Sequence, residues 1–290
     1  MDPIIQQWRD QGFVVVRKVF DPERIARLLP IVEDVWRQSR VRDAVTGEPA
    51  PPNDAGHVMF HCNHPDYHRR DPATLAEILA AGADERVLDV PRRLFGEEPL
   101  FRTLSLWFSP DRVSSDGNWH RDTQFLFPDE TEERARFGSF VDSDFGGSGA
   151  QFQIALVRSE DVEYVPGSHK RWDTPAEYAI RRADGAKNWS SNAMPGAVRV
   201  ALEPGDGVMF NPIGLHRGRY HVDKKRRTFM ATLTKTSAPY FDSFSTQPWF
   251  LTPGYLDGLS ADNRAFYQRS IDCYADWWRA GAPVLGAKAG

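Results

Sequence analysis

The sequence predicts a mainly β domain, a sandwich or barrel, with helices packed outside it at both ends. Three observations carry this expectation. Short apolar segments separated by Gly, Pro, Asp and Ser recur between about residues 101 and 240, a rhythm of sandwiches and barrels rather than of βαβ units. Helix-like apolar periodicity is concentrated in the flanking stretches. The 290 residues are 41% hydrophobic, enough for one large core, and they read as a single domain over 1–290. Its helical amino-terminal part covers 1–100, its β core about 101–240 and a carboxy-terminal helix about 260–280.

The elements follow in order. Residues 12–20 (GFVVVRKVF) are β-branched and aromatic, as a strand requires. Asp21 then caps a helix whose first turn accepts Pro22. Ile25, Leu28, Leu29, Val32, Val35 and Trp36 repeat at helical spacing, and Pro30 should bend that helix or divide it. A Pro/Asp/Gly-rich loop over 43–56 leads to a histidine-rich segment and a helix over 74–95. Strands are expected at 104–108, 152–157, 163–165, 198–202, 207–210 and 227–234. The stretches 127–149 and 171–196 read as long loops, which in a compact β domain commonly serve as lids or binding loops. Ser260 caps a last helix that ends at Gly281.

Composition narrows the function. Forty acidic against thirty-six basic residues give a net charge of −4, so neither nucleic acid nor an anionic membrane is the expected partner. No apolar run approaches the roughly 18–20 residues that span a bilayer. The first residues lack an apolar signal core, and two cysteines, Cys62 and Cys273, suit a reducing cytoplasm. A small-molecule partner is expected; the oligomeric state is not encoded legibly.

The chemistry concentrates in Trp119-His120-Arg121-Asp122. On extended backbone, residues i and i+2 share a face, so His120 and Asp122 can serve one metal while Arg121 points away. Downstream, His216 lies just past a strand and a turn in GDGVMFNPIGLHRG. Two histidines and a carboxylate form the facial triad that holds Fe(II) with positions open for reactants. The His-x-Asp pattern alone arises by chance in many proteins.

With its surroundings the pattern becomes specific. The chain resembles the phytanoyl-CoA dioxygenase family of Fe(II)- and 2-oxoglutarate-dependent oxygenases through GFVVVRKVFDPERIARL, the WHRD motif, EYVPGSHKR, EPGDGVMFNPIGLH and the arginine that follows. The resemblance implies a double-stranded β-helix (jelly-roll, cupin-like) core, Fe(II) held by His120, Asp122 and His216, and the co-substrates 2-oxoglutarate and O2. It assigns the distal carboxylate of 2-oxoglutarate to Arg227, eleven positions after His216. A planar guanidinium suits this role because it pairs with a carboxylate through two parallel hydrogen bonds. Arg226 is expected on the opposite side of that strand. The family's acidic-Asn-Gly turn before VPGSH is replaced here by Arg158-Ser159-Glu160. Related halogenating enzymes carry a small residue in place of the carboxylate, so Asp122 points to hydroxylation or another oxidation and not to halogenation. With no obvious CoA-binding feature, the expected reaction is hydroxylation of an unactivated C–H bond in a free small molecule or natural-product intermediate, releasing succinate and CO2.

Other readings stand beside this one. Gln151 and Gln153 alternate onto one face, Gln153 as a cofactor contact or both outward into solvent. His57, His61, Cys62, His64 and His68 fall within twelve residues and either form a structural zinc site, line the entrance to the pocket, or decorate a polar loop. His169 belongs to the PGSH turn as a stabilising group, and His221 is expected in solvent. Lys224-Lys225-Arg226-Arg227 reads as a solvated basic run. Trp107, Phe125, Phe127, Trp172, Trp249 and Phe250 wall a substrate cavity or fill cores. A metal-dependent cupin dioxygenase that does without 2-oxoglutarate and a non-catalytic zinc- or small-molecule-binding protein are the rival functions.

Overall fold

Asp2 and Pro3 open the first helix in the manner their chemistry dictates: the Asp2 carboxylate accepts from the Ile4 N–H, and Pro3 occupies a position whose N–H has no helical partner. The computed structural model describes residues 2–49, 57–141 and 149–283. Along the chain these form α1 (Pro3–Gln11), β1 (Phe13–Val16), α2 (Pro22–Val41), β2 (His57–Phe60), α3 (Pro72–Gly82), α4 (Glu85–Phe95) and β3 (Pro99–Phe108). Then follow α5 (Thr123–Leu126), α6 (Glu130–Val141), β4 (Ala150–Ala155), β5 (Ser159–Tyr164), α7 (Pro175–Arg181) and α8 (Ala183–Ala186). The series closes with β6 (Val198–Leu202), β7 (Gly207–Phe210), β8 (His216–Gly218), β9 (Arg227–Lys235) and α9 (Ala261–Arg279).

The described parts of 1–18, 53–57 and 108–228 make one compact unit. It holds two antiparallel layers, β1-β7-β4 and β6-β5-β8. In the first, Phe210 of β7 stands opposite Phe13 of β1 and Gln151 of β4. In the second, Tyr164 of β5 stands opposite Val198 of β6 and His216 of β8. Phe13, Ala155, Val162, Tyr164, Val200, Leu202, Val208 and Phe210 pack into the common core of this unit. Each fully buried large apolar side chain contributes roughly 1.5–3 kcal/mol. On another face of β5, Glu163 receives the guanidinium groups of Arg199, Arg217 and Arg219; Arg199 and Arg217 stand directly across from it on the neighbouring strands.

The described parts of 19–52, 58–107 and 229–290 form the second unit, with strand order β9-β3-β2. β3 is buried along almost its whole length. Phe101 meets the rings of Phe250, Phe266 and Tyr267, and the Tyr267 hydroxyl donates to the Leu79 carbonyl at 2.8 Å, tying α9 to α3.

Antiparallel sheets with flanking helices are the expected class. Local differences have identifiable causes. The helix expected over 74–95 is two, because Asp84 accepts from the Arg86 N–H and caps a fresh start. Pro30 is accommodated inside a continuous α2. The 171–196 stretch contains α7, initiated by a reciprocal Thr174/Glu177 capping box, and 127–149 contains α6. The first strand stops at Val16, and Lys18 takes a left-handed φ of 55°. Among the described residues, no helix is long and apolar enough to cross a membrane.

Gly12 ends α1 at φ +82°, and a Cβ there would stand 2.5 Å from both His169 Nδ1 and Tyr164 Oη. Gly12→Ala should therefore cost about 2 kcal/mol through backbone strain and the clash together. A thermal melt should show the midpoint lowered by several degrees; an unchanged midpoint would mean the turn relaxes freely.

Candidate metal centre

The backbone brings the two histidines together before any side chain is considered. His120 N–H donates to the His216 carbonyl and His216 N–H to the His120 carbonyl, both at 3.0 Å, in a closed antiparallel bridge. Asp122 N–H is fixed to the Pro212 carbonyl at 2.9 Å, so the turn preceding His216 also sets the carboxylate.

The side chains are aimed by equally local bonds. His120 Nδ1 lies 2.6 Å from the Asn118 carbonyl and His216 Nδ1 2.9 Å from the Gly214 carbonyl. A carbonyl can only accept, so both Nδ1 atoms carry the proton and both Nε2 atoms present lone pairs. His120 Nε2 and His216 Nε2 lie 3.6 and 3.5 Å from Asp122 Oδ1. The other carboxylate oxygen, Oδ2, accepts from Gln151 Nε2 at 2.7 Å. Burial, and then the neighbouring His120, hold His216 well below the usual imidazole range, so its ring is neutral at physiological pH.

Among the described residues, these three are the group of His, Cys, Asp and Glu able to share an ion, with donor atoms all within 4.8 Å of one another. Both imidazole–carboxylate separations are shorter than twice a metal–ligand distance of about 2.1 Å. The donor set fits a two-histidine, one-carboxylate facial site, with carbonyl and amide partners orienting each ligand. His216 is nearly covered at 7% exposure, whereas His120 and Asp122 retain 22% and 26%, so the open side lies over the latter pair. Phe125, 63% exposed, sits there with its ring 5.3 Å from that of His120, and Leu126 beside it is also exposed.

The two arginines reverse the expected order. Arg226 is the interior residue, at 1% exposure: its Nη2 donates to Gln153 Oε1 at 3.0 Å, its guanidinium lies 5.0 Å from the Tyr220 ring centre, and Asp161 is 3.7 Å away. Arg227 is half-buried, bonded to the Arg226 carbonyl and Ser109 Oγ and packed on Phe108. The expectation that Arg227 faces inward and Arg226 outward is thus corrected. β9 begins only at Arg227, so strand alternation does not govern the residue before it.

Gln151 and Gln153 both turn inward, resolving the alternative left by the sequence. Gly218 lies two residues beyond His216 on β8, and a Cβ on it would come 2.5 Å from Tyr220 Oη and 3.1 Å from Arg226 Nη1. Since i and i+2 share a strand face, the Arg226 guanidinium sits one pleat from His216, roughly 7 Å along the strand. Arg226, Gln151, Tyr220 and Gly218 complete the neighbourhood. Their signal in the sequence was faint: a polar pair on an apolar strand, and a doubled arginine.

The histidine-rich segment is otherwise engaged. His68 bonds the Cys62 carbonyl and Thr74 Oγ1 through its two ring nitrogens. His64 Nδ1 accepts from the Asp66 N–H. His61 is fully buried against Trp249, with its pKa pushed down to about 4 by burial. The side chain of His57 lies outside the described residues. His169 Nε2 donates to the Arg9 carbonyl, as a turn-stabilising group should, whereas His221 is not in open solvent but bonds Asp116 at 2.7 Å.

This fold and donor set define a class, the jelly-roll oxygenases built around a histidine–carboxylate iron site. The chain belongs to the phytanoyl-CoA dioxygenase (PhyH) family, whose model matches residues 8–229. Solved structures of the same fold include EctD from S. alaskensis with bound Fe (19% identity, TM-score 0.57, 85% of this chain and 81% of that one). AviO1 from Streptomyces viridochromogenes Tue57 matches at 18% identity and TM-score 0.54, over 82% and 96%. The non-heme alpha-ketoglutarate-dependent carbocyclase SnoK from nogalamycin biosynthesis matches at 17% and 0.54, over 81% and 84%. Among curated proteins nothing matches the chain.

If the triad and not the histidine-rich segment holds metal, Asp122→Ala and His216→Ala should each abolish stoichiometric Fe(II) uptake. His64→Ala and His68→Ala should leave it intact. Metal analysis after anaerobic loading and desalting reads the difference, and retained iron in His216→Ala would refute the assignment.

Proposed function

We propose that the protein is an Fe(II)- and 2-oxoglutarate-dependent oxygenase that hydroxylates an unactivated C–H bond of a small molecule or natural-product intermediate, releasing succinate and CO2. The observation that carries this reading is the convergence of His120 Nε2, His216 Nε2 and Asp122 Oδ1, with a buried guanidinium one pleat away. His120, Asp122 and His216 would hold the iron, which when bound supplies the activation of O2 coupled to decarboxylation of the co-substrate. Every other contribution comes from the chain itself.

Arg226 takes the place given to Arg227 by sequence. Its guanidinium offers a planar fork to the far carboxylate of 2-oxoglutarate, Gln153 steadies that fork, and Tyr220 covers its face. Gln151 holds Asp122 Oδ2 and so keeps Oδ1 turned to the metal. His216, kept neutral by its burial, need lose no proton to bind it. Asp122 fills the position that a halide would need, which favours hydroxylation over halogenation. The exposed Phe125 and Leu126 give the open side an apolar rim, which suits a substrate with hydrocarbon or ring surface.

The buried arginine also separates this reading from a cupin dioxygenase that uses no 2-oxoglutarate. Adding 2-oxoglutarate to the anaerobic Fe(II)-loaded protein should produce a weak visible charge-transfer band; its absence would favour the rival. In succinate-release assays, Arg226→Ala should raise the apparent KM for 2-oxoglutarate at least tenfold, the loss expected when a charge-assisted pair worth about 1.5–3 kcal/mol is removed. Arg227→Ala should change it less than threefold. The reverse pattern would return the role to Arg227.

A further inference from the structure

Behind the metal ligands runs a closed circuit of buried polar side chains that metal coordination itself does not require. Arg121 and Thr123 flank Asp122, and both turn away from it into the interior. Arg121 Nε donates to Asp173 Oδ1 at 2.9 Å; Asp173 Oδ2 accepts from Arg181 Nε at 2.6 Å. Arg181 Nη1 reaches both oxygens of Glu133 at 3.1 Å, and Glu133 Oε1 accepts from Thr123 Oγ1 at 2.8 Å. The circuit thus leaves the ligand segment one residue before Asp122 and returns one residue after it. The side chains of Arg121, Asp173, Arg181 and Glu133 have no exposure at all.

Two features argue that the circuit fixes geometry more than stability. First, its two carboxylates are each matched by buried guanidiniums, Asp173 by Arg121 and Arg181 and Glu133 by Arg181, with the partly exposed Arg182 also on Glu133 at 2.6 Å. Buried ion pairs of this kind generally repay little more than their desolvation, and apolar replacements of both partners are often neutral or better. Second, Arg121 reaches the other ligand segment too. Its Nη1 donates to the carbonyls of Ile213 and Ser168. Ile213 stands three residues before His216, and Ser168 Oγ accepts from the N–H of Leu215, the residue before it. One guanidinium, placed in the chain between His120 and Asp122, therefore also bonds the segment that leads into His216.

We propose that the circuit Arg121–Asp173–Arg181–Glu133–Thr123 is a positioning device, which transmits the placement of α6 and α7 to the metal centre and sets its affinity and coordination geometry. The proposal rests on the metal reading given above. Arg181 and Glu133 touch no ligand, so they are positioning residues acting through Arg121 and Thr123.

The test titrates metal-free protein with Co(II), whose visible spectrum reports both affinity and geometry. Thr123→Val, nearly isosteric and uncharged, should weaken Co(II) binding about tenfold, the low end for loss of an outer-shell partner. It should also alter the band shape, while the melting midpoint of the metal-free protein stays within a few degrees of the parent. Thr123→Ser should restore both. The paired replacement Arg181→Met with Glu133→Leu removes the charges together, so it keeps the fold testable should either single change unfold it, and it should reproduce the spectral change. Parent-like affinity and spectrum in Thr123→Val and in the paired variant would overturn the proposal. If the parent itself fails to bind Co(II), or His216→Ala binds it like the parent, the metal reading falls first.

Discussion

The site depends on a single backbone bridge. The reciprocal hydrogen bonds between His120 and His216 join residues nearly a hundred positions apart, and everything else at the centre is an adjustment to that juncture. Once it forms, each imidazole needs only a local carbonyl to select its tautomer, and Asp122 needs only the Pro212 carbonyl and the Gln151 amide to present one oxygen. The division of labour is physical: long-range order is carried by backbone groups, which every sequence possesses, and the fine aim by a few side chains.

Burial then sorts the roles of chemically identical residues. Arg121, Arg181 and Arg226 are arginines removed from water, each matched to carboxylates, amide oxygens or carbonyls. Arg227, one residue from Arg226, packs half-exposed on Phe108. His216 is kept neutral by its burial, while His120 sits on the open side beside Phe125. Such differences follow from the layer in which each residue lies and not from its type.

How much of this was legible beforehand depended on whether the governing interaction was local. The WHRD motif, His216 in its Gly/Asn/Pro-rich setting and the general fold were readable, since strand segments and turn residues write themselves into short windows. The inward face of Gln151 and Gln153 was readable as one of two alternatives. The Arg226/Arg227 choice was not, because it depends on where β9 begins, and that is settled by the Arg226 and Arg227 carbonyls bonding Ser109 and Leu156. α7 carried its signature in Thr174-Pro175-Ala176-Glu177, a capping box overlooked within a polar stretch. The circuit through Asp173, Arg181 and Glu133 lay beyond reach, for no spacing rule brings together a loop residue and residues of two separate helices.

The i−2 carbonyl bonds of the two histidines carry a wider implication. Because each ring takes its tautomer from a peptide only two positions upstream, the choice of free nitrogen is made locally. Segments elsewhere can be lengthened, shortened or exchanged without changing which nitrogen of either imidazole is left with a lone pair, even where they shift the rings themselves.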